Sequence, residues 1–373
     1  MWLMPAVLAA ILLLVSLFAF PVIVALLSPA KKMNSQPSDL PHSIDVLIPC
    51  HNEEGRLRLT LQSVFEAVDH LQFLFPEISV QVICGLDDCT DGSADDAKLY
   101  GAHVVNFKFR SKWKVIHALA SESRGQWIAL VDCGVVWDKR LLRNAISYLA
   151  SADVVGFSPT YSTWKSGFLS KWFWSLEAFI KSIENVAGGP ISVHGATILY
   201  RTDYLKTALR FLAGRKWIND DVVLPLVMRA LNPNQRIIYS RNKKMGFCVC
   251  DHAGRSDLNE QAARLRVSKG NLQWMASLLP FLWFWNKSVF VLSLRRFFRL
   301  LWVLVPIFLG LSLSLFAIEY GSGEMWIRIL IVIVLFVIAL RYAQKIPSFN
   351  SSLKAIRSLL VGPWDQGEEV LWK

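Results

Sequence analysis

The sequence has no cysteine framework. Its six cysteines, at 50, 84, 89, 133, 248 and 250, form no paired CxxC pattern, which argues against a disulfide scaffold and for a reducing compartment. Cys248-Val249-Cys250-Asp251-His252 has no second ligand pair at zinc spacing, so a structural zinc site is not expected there. Nucleic-acid-binding motifs are absent too, although the chain carries a formal charge of +11. With 15 tryptophans and basic clusters beside apolar stretches, that charge points to a membrane surface and to phosphate groups, and to no nucleic-acid partner. Charge is missing altogether from Trp2 to Leu27.

That uncharged run is long enough to cross a bilayer at about 1.5 Å per residue. A cleaved signal peptide would open on basic residues and be shorter. Here Lys31 and Lys32 follow the run instead, which favours a signal anchor with the next domain in the cytoplasm. Leu300–Ile318 and Met325–Leu340 read as a transmembrane hairpin around a short loop. Arg295, Arg296 and Arg299 before it, and Arg341 and Lys345 after it, put both ends on the side of those lysines. Leu278–Leu294, broken by Asn286-Lys287, reads as an amphipathic helix lying in the cytoplasmic interface; a fourth span is the alternative. The expected organisation is an anchor over 1–30, a linker over 31–43, a folded domain over 44–276, an interface helix over 277–298, a hairpin over 299–342 and a cytoplasmic tail over 343–373. The expected location is the cell (inner) membrane, as a multi-pass protein.

Within the folded domain, apolar β-branched runs alternate with helical periodicity. Strands are expected at Ile44–Ile48 (stopped by Pro49), Val80–Cys84, Val104–Phe107 and Trp127–Val131. Helices are expected at Arg56–His70, from about Ala94, and from about Lys114 to Ser123. That alternation predicts an α/β fold with a mostly parallel sheet. Asp132 then ends a fully apolar strand, where such sheets bind ligands. Asp220-Asp221 open an apolar helix. They read either as first-turn charges or as a pair in which one member's pKa is raised toward general-base work.

Several stretches carry a resemblance. Pro49-Cys50-His51-Asn52-Glu53-Glu54 is similar to the opening motif of family-2 glycosyltransferases of the GT-A fold. Asp87-Asp88-Cys89-Thr90-Asp91-Gly92-Ser93 resembles their "D-G-S-T-D-G-T" turn, with Asp88 where glycine is usual. Lys114-Val115-Ile116-His117-Ala118-Leu119 resembles "K-x-x-A-L-N". Asn219-Asp220-Asp221-Val222-Val223-Leu224-Pro225 resembles "E-D-x-x-L-P". Gln261-Ala262-Ala263-Arg264-Leu265 resembles "Q-x-x-R-W", with leucine for tryptophan. The likeness spans roughly residues 43–345 and points to the membrane-anchored, synthase-like branch that makes polysaccharides or glycolipids.

The resemblance implies an inverting, hexosyltransferase-type enzyme that takes a UDP- or GDP-sugar donor and a lipid-linked or membrane-proximal glycan acceptor. Pro49, Glu53, Asp87, Lys114, Asp132, Gln261 and Arg264 would hold the nucleotide sugar, Asp87 at the base and Gln261 with Arg264 at the diphosphate. Asp132, first carboxylate of the family's "D-x-D", would bind Mg2+ or Mn2+; the third position is Gly134, with Asp138 or His252 as candidate substitutes. Asp221 would be the catalytic base, tuned by Asp220. His194 and Gly195 would lie on the acceptor side, although a structural role for His194 is equally open. Trp164, Trp172, Phe173 and Trp174, interleaved with Lys165, Lys171 and Lys181, suit the membrane interface. A processive synthase, with partner subunits, is the enzymatic alternative. A catalytically weakened assembly subunit is the alternative of another class, resting on Gly134 and Leu265.

Overall fold

The computed structural model describes residues 3–19, 22–23, 39–163, 168–241, 247–250, 257–301, 304–319, 334 and 337. After α1 (Leu3–Leu14), the strands β1 (Ser43–Cys50), β2 (Ser79–Asp87), β3 (His103–Phe107) and β4 (Trp127–Val131) alternate with α2 (Arg56–Leu74), α3 (Ser93–Leu99) and α4 (Lys112–Glu122). These strands pair in parallel in the order β3-β2-β1-β4. The sheet is completed by β6 (Val154–Ser158), β8 (Thr197–Arg201) and β9 (Arg236–Tyr239) in the order β4-β8-β6-β9. Strand β8 runs antiparallel to both β4 and β6. A second, three-stranded sheet joins β5 (Val135–Trp137), β7 (Thr160–Thr163) and β10 (Phe247–Cys250) in the order β5-β10-β7.

Both faces of the main sheet are buried, because alternate side chains of each strand enter different cores. Leu47, Ile83, Ile128 and Leu130 join one cluster with α4, α7 (Thr202–Phe211) and α8 (Asp220–Leu231). Val46, Ile48, Val82, Trp127 and Ala129 join the other with α2 and α5 (Leu141–Leu149). Strand β1 continues two residues past the expected stop, with Pro49 opposite Gly85 and Cys50 opposite Leu86. Proline removes one donor but keeps an extended backbone, so it is tolerated near a strand end. The α4–β4 turn is fixed by buried Asp45, which accepts from the backbone N–H of Arg124 (3.1 Å) and Gly125 (2.8 Å).

The stretch expected as one interface helix is shared by α9 (Asp257–Trp285) and α10 (Lys287–Leu300); the expected boundary at 276/277 falls inside α9. Asn286 makes the joint: its Oδ1 accepts from Val289 N (3.2 Å), while its Nδ2 donates to the Arg229 carbonyl (3.1 Å). Leu278, Leu282, Val289 and Leu292 pack into the domain core, and Phe281, Trp283 and Phe284 remain exposed. Helix α6 (Phe168–Glu184) meets α10 through buried charge: Arg295 pairs with Glu177 (2.5 Å) and Glu184 (3.5 Å). Lys181, expected at the membrane interface, is instead buried and donates to the carbonyl (2.5 Å) and hydroxyl (3.0 Å) of Ser192.

Among the described residues no helix is long and apolar enough to cross a membrane. Helix α1 has 12 residues, about 18 Å at 1.5 Å per residue, and passes into a π-helical turn at Val15–Ala19. It packs against the apolar α11 (Leu304–Glu319). Apart from residues 334 and 337, the expected second hairpin leg lies outside the described residues, as does the tail. Removing one member of a buried charge cluster leaves its partners uncompensated. Arg295→Met should therefore cost about 3–5 kcal/mol of stability, read as a lowered midpoint in chemical denaturation of the detergent-solubilised protein.

Candidate active site

Parallel strands deliver their C-terminal ends to one edge, so the loops after β1, β2 and β4 meet there. The first two loops are zipped together by reciprocal hydrogen bonds. Asn52 Oδ1 accepts from Thr90 N (2.8 Å), Asp91 Oδ2 from Glu54 N (2.9 Å), Asp96 Oδ2 from Gly55 N (2.8 Å) and Glu54 Oε2 from Gly92 N (3.1 Å). Asp91 also accepts from Ser93, through its N (3.1 Å) and Oγ (2.6 Å). It is a turn-forming residue, as its place in an Asp-Gly-Ser turn suggests.

The third loop gathers the titratable side chains. Asp132 N donates to Ala196 O (3.1 Å), which brings the turn before antiparallel β8 against the end of β4. Val193 N donates to Asp221 O (3.0 Å), drawing in the first turn of α8. A Cβ at Gly195 would lie 3.5 Å from Asp221 Cβ and 3.7 Å from Asp132 Oδ2, so glycine here separates the two aspartates by a single backbone. Lys112, at the start of α4, reaches between strand and helix. Its Nζ lies 2.7 Å from Asp132 Oδ1 and 3.2 Å from Asp220 Oδ2. Asp132, Asp220, Asp221 and Lys112 therefore form one cluster, with Asp132 facing the opening at 40% side-chain exposure.

Electrostatics divide the labour. Burial, and then the charge of Asp220, push the Asp221 carboxyl up to about 6. Burial opposes the charge on Lys112, but Asp132 and Asp220 outweigh it and raise the ammonium's pKa, so it stays a cation. Arg266, on α9, also acts on Lys112 and Asp132 through its charge. Its buried Nε has no hydrogen-bond partner among the described residues. The sequence places Arg266 on a solvated basic face; the structure brings its charge within range of Lys112 and Asp132. Its distance along the chain from the aspartates hid that role.

Other expected residues fall elsewhere. Asp87 is fully buried, and its oxygens accept from the backbone N–H of Phe109 (2.6 Å) and Ser111 (2.7 Å). It orders the loop that launches Lys112 rather than presenting an open acceptor to a nucleobase. Lys114 is exposed, its ammonium 6.0 Å from the Phe109 ring centroid; the lysine beside the aspartates is Lys112, two residues earlier and outside the motif. Asp88, with φ 54, pairs with Arg110 (2.7 Å). Pro49 lies in β1, its carbonyl accepting from Cys133 Sγ (3.5 Å).

Glu53 pairs with Arg56 (2.5 Å), whose guanidinium fills the space that a side chain at Gly134 would need. Gly134 itself has φ +83, a conformation costly to other residues. Asp138 is engaged by Arg140 (2.7 Å) and does not supply the missing carboxylate. His252 lies outside the described residues. Gln261 and Arg264 belong to α9, but their side chains lie outside the described residues.

His194 is buried, stacked on Tyr161 (centroids 4.5 Å apart) and flanked by Trp174 and Tyr239. Burial holds it well below the usual histidine range and therefore neutral. Trp174 thus serves this aromatic box, while Trp172 stays 56% exposed. Trp164 and Lys165, and the side chains of Phe173 and Lys171, lie outside the described residues. Among the described residues no group of three or more metal-ligating side chains converges. The thiols described in side-chain detail, Cys50, Cys84, Cys89 and Cys133, are free.

Comparison with known proteins agrees with this architecture. A mannosyltransferase from Pyrobaculum calidifontis, solved with GDP-Man and Mn2+, superposes with a TM-score of 0.65 at 17% identity, covering 97% of this chain and 99% of that one. Glucosyl-3-phosphoglycerate synthase from Mycobacterium tuberculosis, solved with Mn2+, UDP and phosphoglyceric acid, gives 0.40 at 14% identity over 61% of this chain and 76% of that one. The same enzyme with Mg2+ and UDP gives 0.39 at 14% identity over 61% and 77%. No curated protein matches the chain. Residues 45–208, running from β1 into α7, match the model of glycosyl transferase family 2.

Proposed function

We propose that this protein transfers a hexosyl group, with inversion, from a UDP- or GDP-sugar to a lipid-linked or membrane-proximal glycan, at the cytoplasmic face of the cell membrane. The observation that carries the reading is the meeting of Asp132, Asp221 and Lys112 at the open edge of the sheet. Asp221 takes the proton of the acceptor hydroxyl as that oxygen attacks the anomeric carbon. The bond from this carbon to the β-phosphate oxygen breaks, and the diphosphate leaves with the electron pair. Inversion needs no covalent enzyme intermediate, so positioning and charge complementarity suffice. Lys112, with Arg266 and Arg296 acting on the cluster through their charge, would offset the charge of the leaving diphosphate.

The donor chemistry of Asp132 fits a hard divalent cation: a half-open carboxylate can share Mg2+ or Mn2+ with phosphate oxygens, which need few protein ligands. When bound, the ion would neutralise part of the diphosphate charge. Membrane attachment is supported by two apolar helices lying side by side. Leu3, Met4 and Leu14 of α1 and Ile307, Leu311 and Phe316 of α11 all face outward, and so do Phe281, Trp283 and Phe284 of α9. The assembly-subunit alternative rests on Gly134, whose space Arg56 fills. The raised Asp221 carboxyl favours catalysis over it.

A panel of UDP- and GDP-sugars, offered to the purified full chain with lipid extract as acceptor, with and without Mn2+, tests the reading. Transfer from at least one donor is expected, and binding of none across the panel removes the proposal. Asp221→Asn should lower kcat/KM about 10²- to 10⁴-fold while nucleotide binding persists. Because the base works ionised and its pKa is raised, the wild-type rate should fall as pH drops through about 6 and stay level above it; a rate flat from pH 5 to 8 contradicts the assignment.

A further inference from the structure

The cluster contains a cation of its own. Lys112 is 21% exposed and reaches both Asp132, at the end of β4, and Asp220, in the first turn of α8. Without it, two carboxylates would face each other with Asp221 adjacent, an arrangement that repels itself and attracts any available cation. On the other side of Asp132, Arg56 occupies the space where a carboxylate at position 134 would stand. Arg266 adds a third positive group whose buried Nε has no hydrogen-bond partner among the described residues. The site is therefore charge-compensated when empty.

We propose that Lys112 is a resident counter-ion that occupies the space between Asp132 and Asp220 until a nucleoside diphosphate arrives, then moves to the phosphate oxygens and leaves Asp132 open to the divalent ion. This rests on the reading that the site takes a nucleotide diphosphate. Before the donor binds, the ammonium excludes a free metal ion from Asp132. Afterwards the diphosphate offers Lys112 and Arg266 more negative charge than one carboxylate does, and the vacated carboxylate meets a cation that the phosphates already hold. The divalent ion thus enters with the nucleotide rather than before it. Lys112 acts as a positioning residue for both. A lysine suits this task better than an arginine, since its ammonium is a compact charge on a flexible stem and is not locked to one planar partner.

Two measurements on the full chain test this. Mn2+ binding is followed by electron paramagnetic resonance without nucleotide, and GDP and UDP binding by calorimetry, each in EDTA and in Mn2+. Wild type should bind free Mn2+ weakly and Mn2+ with nucleotide tightly. Lys112→Met should bind free Mn2+ about tenfold more tightly than wild type, and GDP or UDP in EDTA about tenfold more weakly. Lys112→Arg should restore the nucleotide affinity in part. Adding Asp132→Asn to Lys112→Met should abolish the gained Mn2+ binding, which a variant that merely misfolds would not show. Free Mn2+ affinity in Lys112→Met at or below the wild-type value overturns the proposal. If wild type binds neither nucleotide, the functional reading fails while the Mn2+ comparison still decides the role of Lys112.

Discussion

One ammonium group holds this site together. Lys112 Nζ joins the end of β4, through Asp132, to the first turn of α8, through Asp220. Their two aspartates lie 88 positions apart in the chain, and backbone bonds from Asp132 N to Ala196 O and from Val193 N to Asp221 O tie each element to the segment before β8. The geometry of Lys112 depends in turn on Asp87, which anchors the backbone at Phe109 and Ser111 just before α4 begins. A buried carboxylate at the end of one strand therefore sets where a lysine enters from the next helix. That lysine sets the spacing of Asp132 and Asp220.

Much of the fold could be read in advance, and the reason is periodicity. The run Trp127–Val131 is apolar throughout because both sheet faces are covered, and its limits in the structure are the expected ones. Strand ends were harder to read, since Pro49 and Gly85 look like breakers yet lie opposite each other in the ladder. Within the site, Asp132, Asp220 and Asp221 were legible because each interrupts an apolar pattern. Lys112 was not: Lys112 and Lys114 stand two apart at the start of one helix, and only three-dimensional position shows that the first faces the aspartates and the second faces solvent. Asp87 was legible as important but not in its role, because a sequence cannot say whether a carboxylate's partners are a ligand or the protein's own backbone.

The other side of the domain follows a different logic. Arg295, Glu177 and Glu184 form a buried charged contact between α6 and α10, and Lys181 is desolvated enough to be pushed down to about 8. Basic residues that read as interface anchors are thus partly internal. Buried ion pairs of this kind contribute little net stability but strongly penalise alternative packings that separate them. Here they fix how α10 lies on the domain, with Asn286 bonding back to α8 at Arg229. The helix that begins with the aspartate pair is therefore braced at its far end by the segment leading toward α11.

The reversed strand has a consequence of its own. Because β8 runs against its neighbours, the chain enters it from the same edge at which β1, β2 and β4 finish. Its approach, residues 188–196, therefore borders the cavity without contributing to the parallel ladder. In the proposed reaction the floor beneath one reactant would be built from strand exits, and the wall beside the other from a strand entrance. Length changes in that approach would reshape the wall and leave the floor's register untouched, so a scaffold of this kind can change what it modifies while keeping what it draws upon.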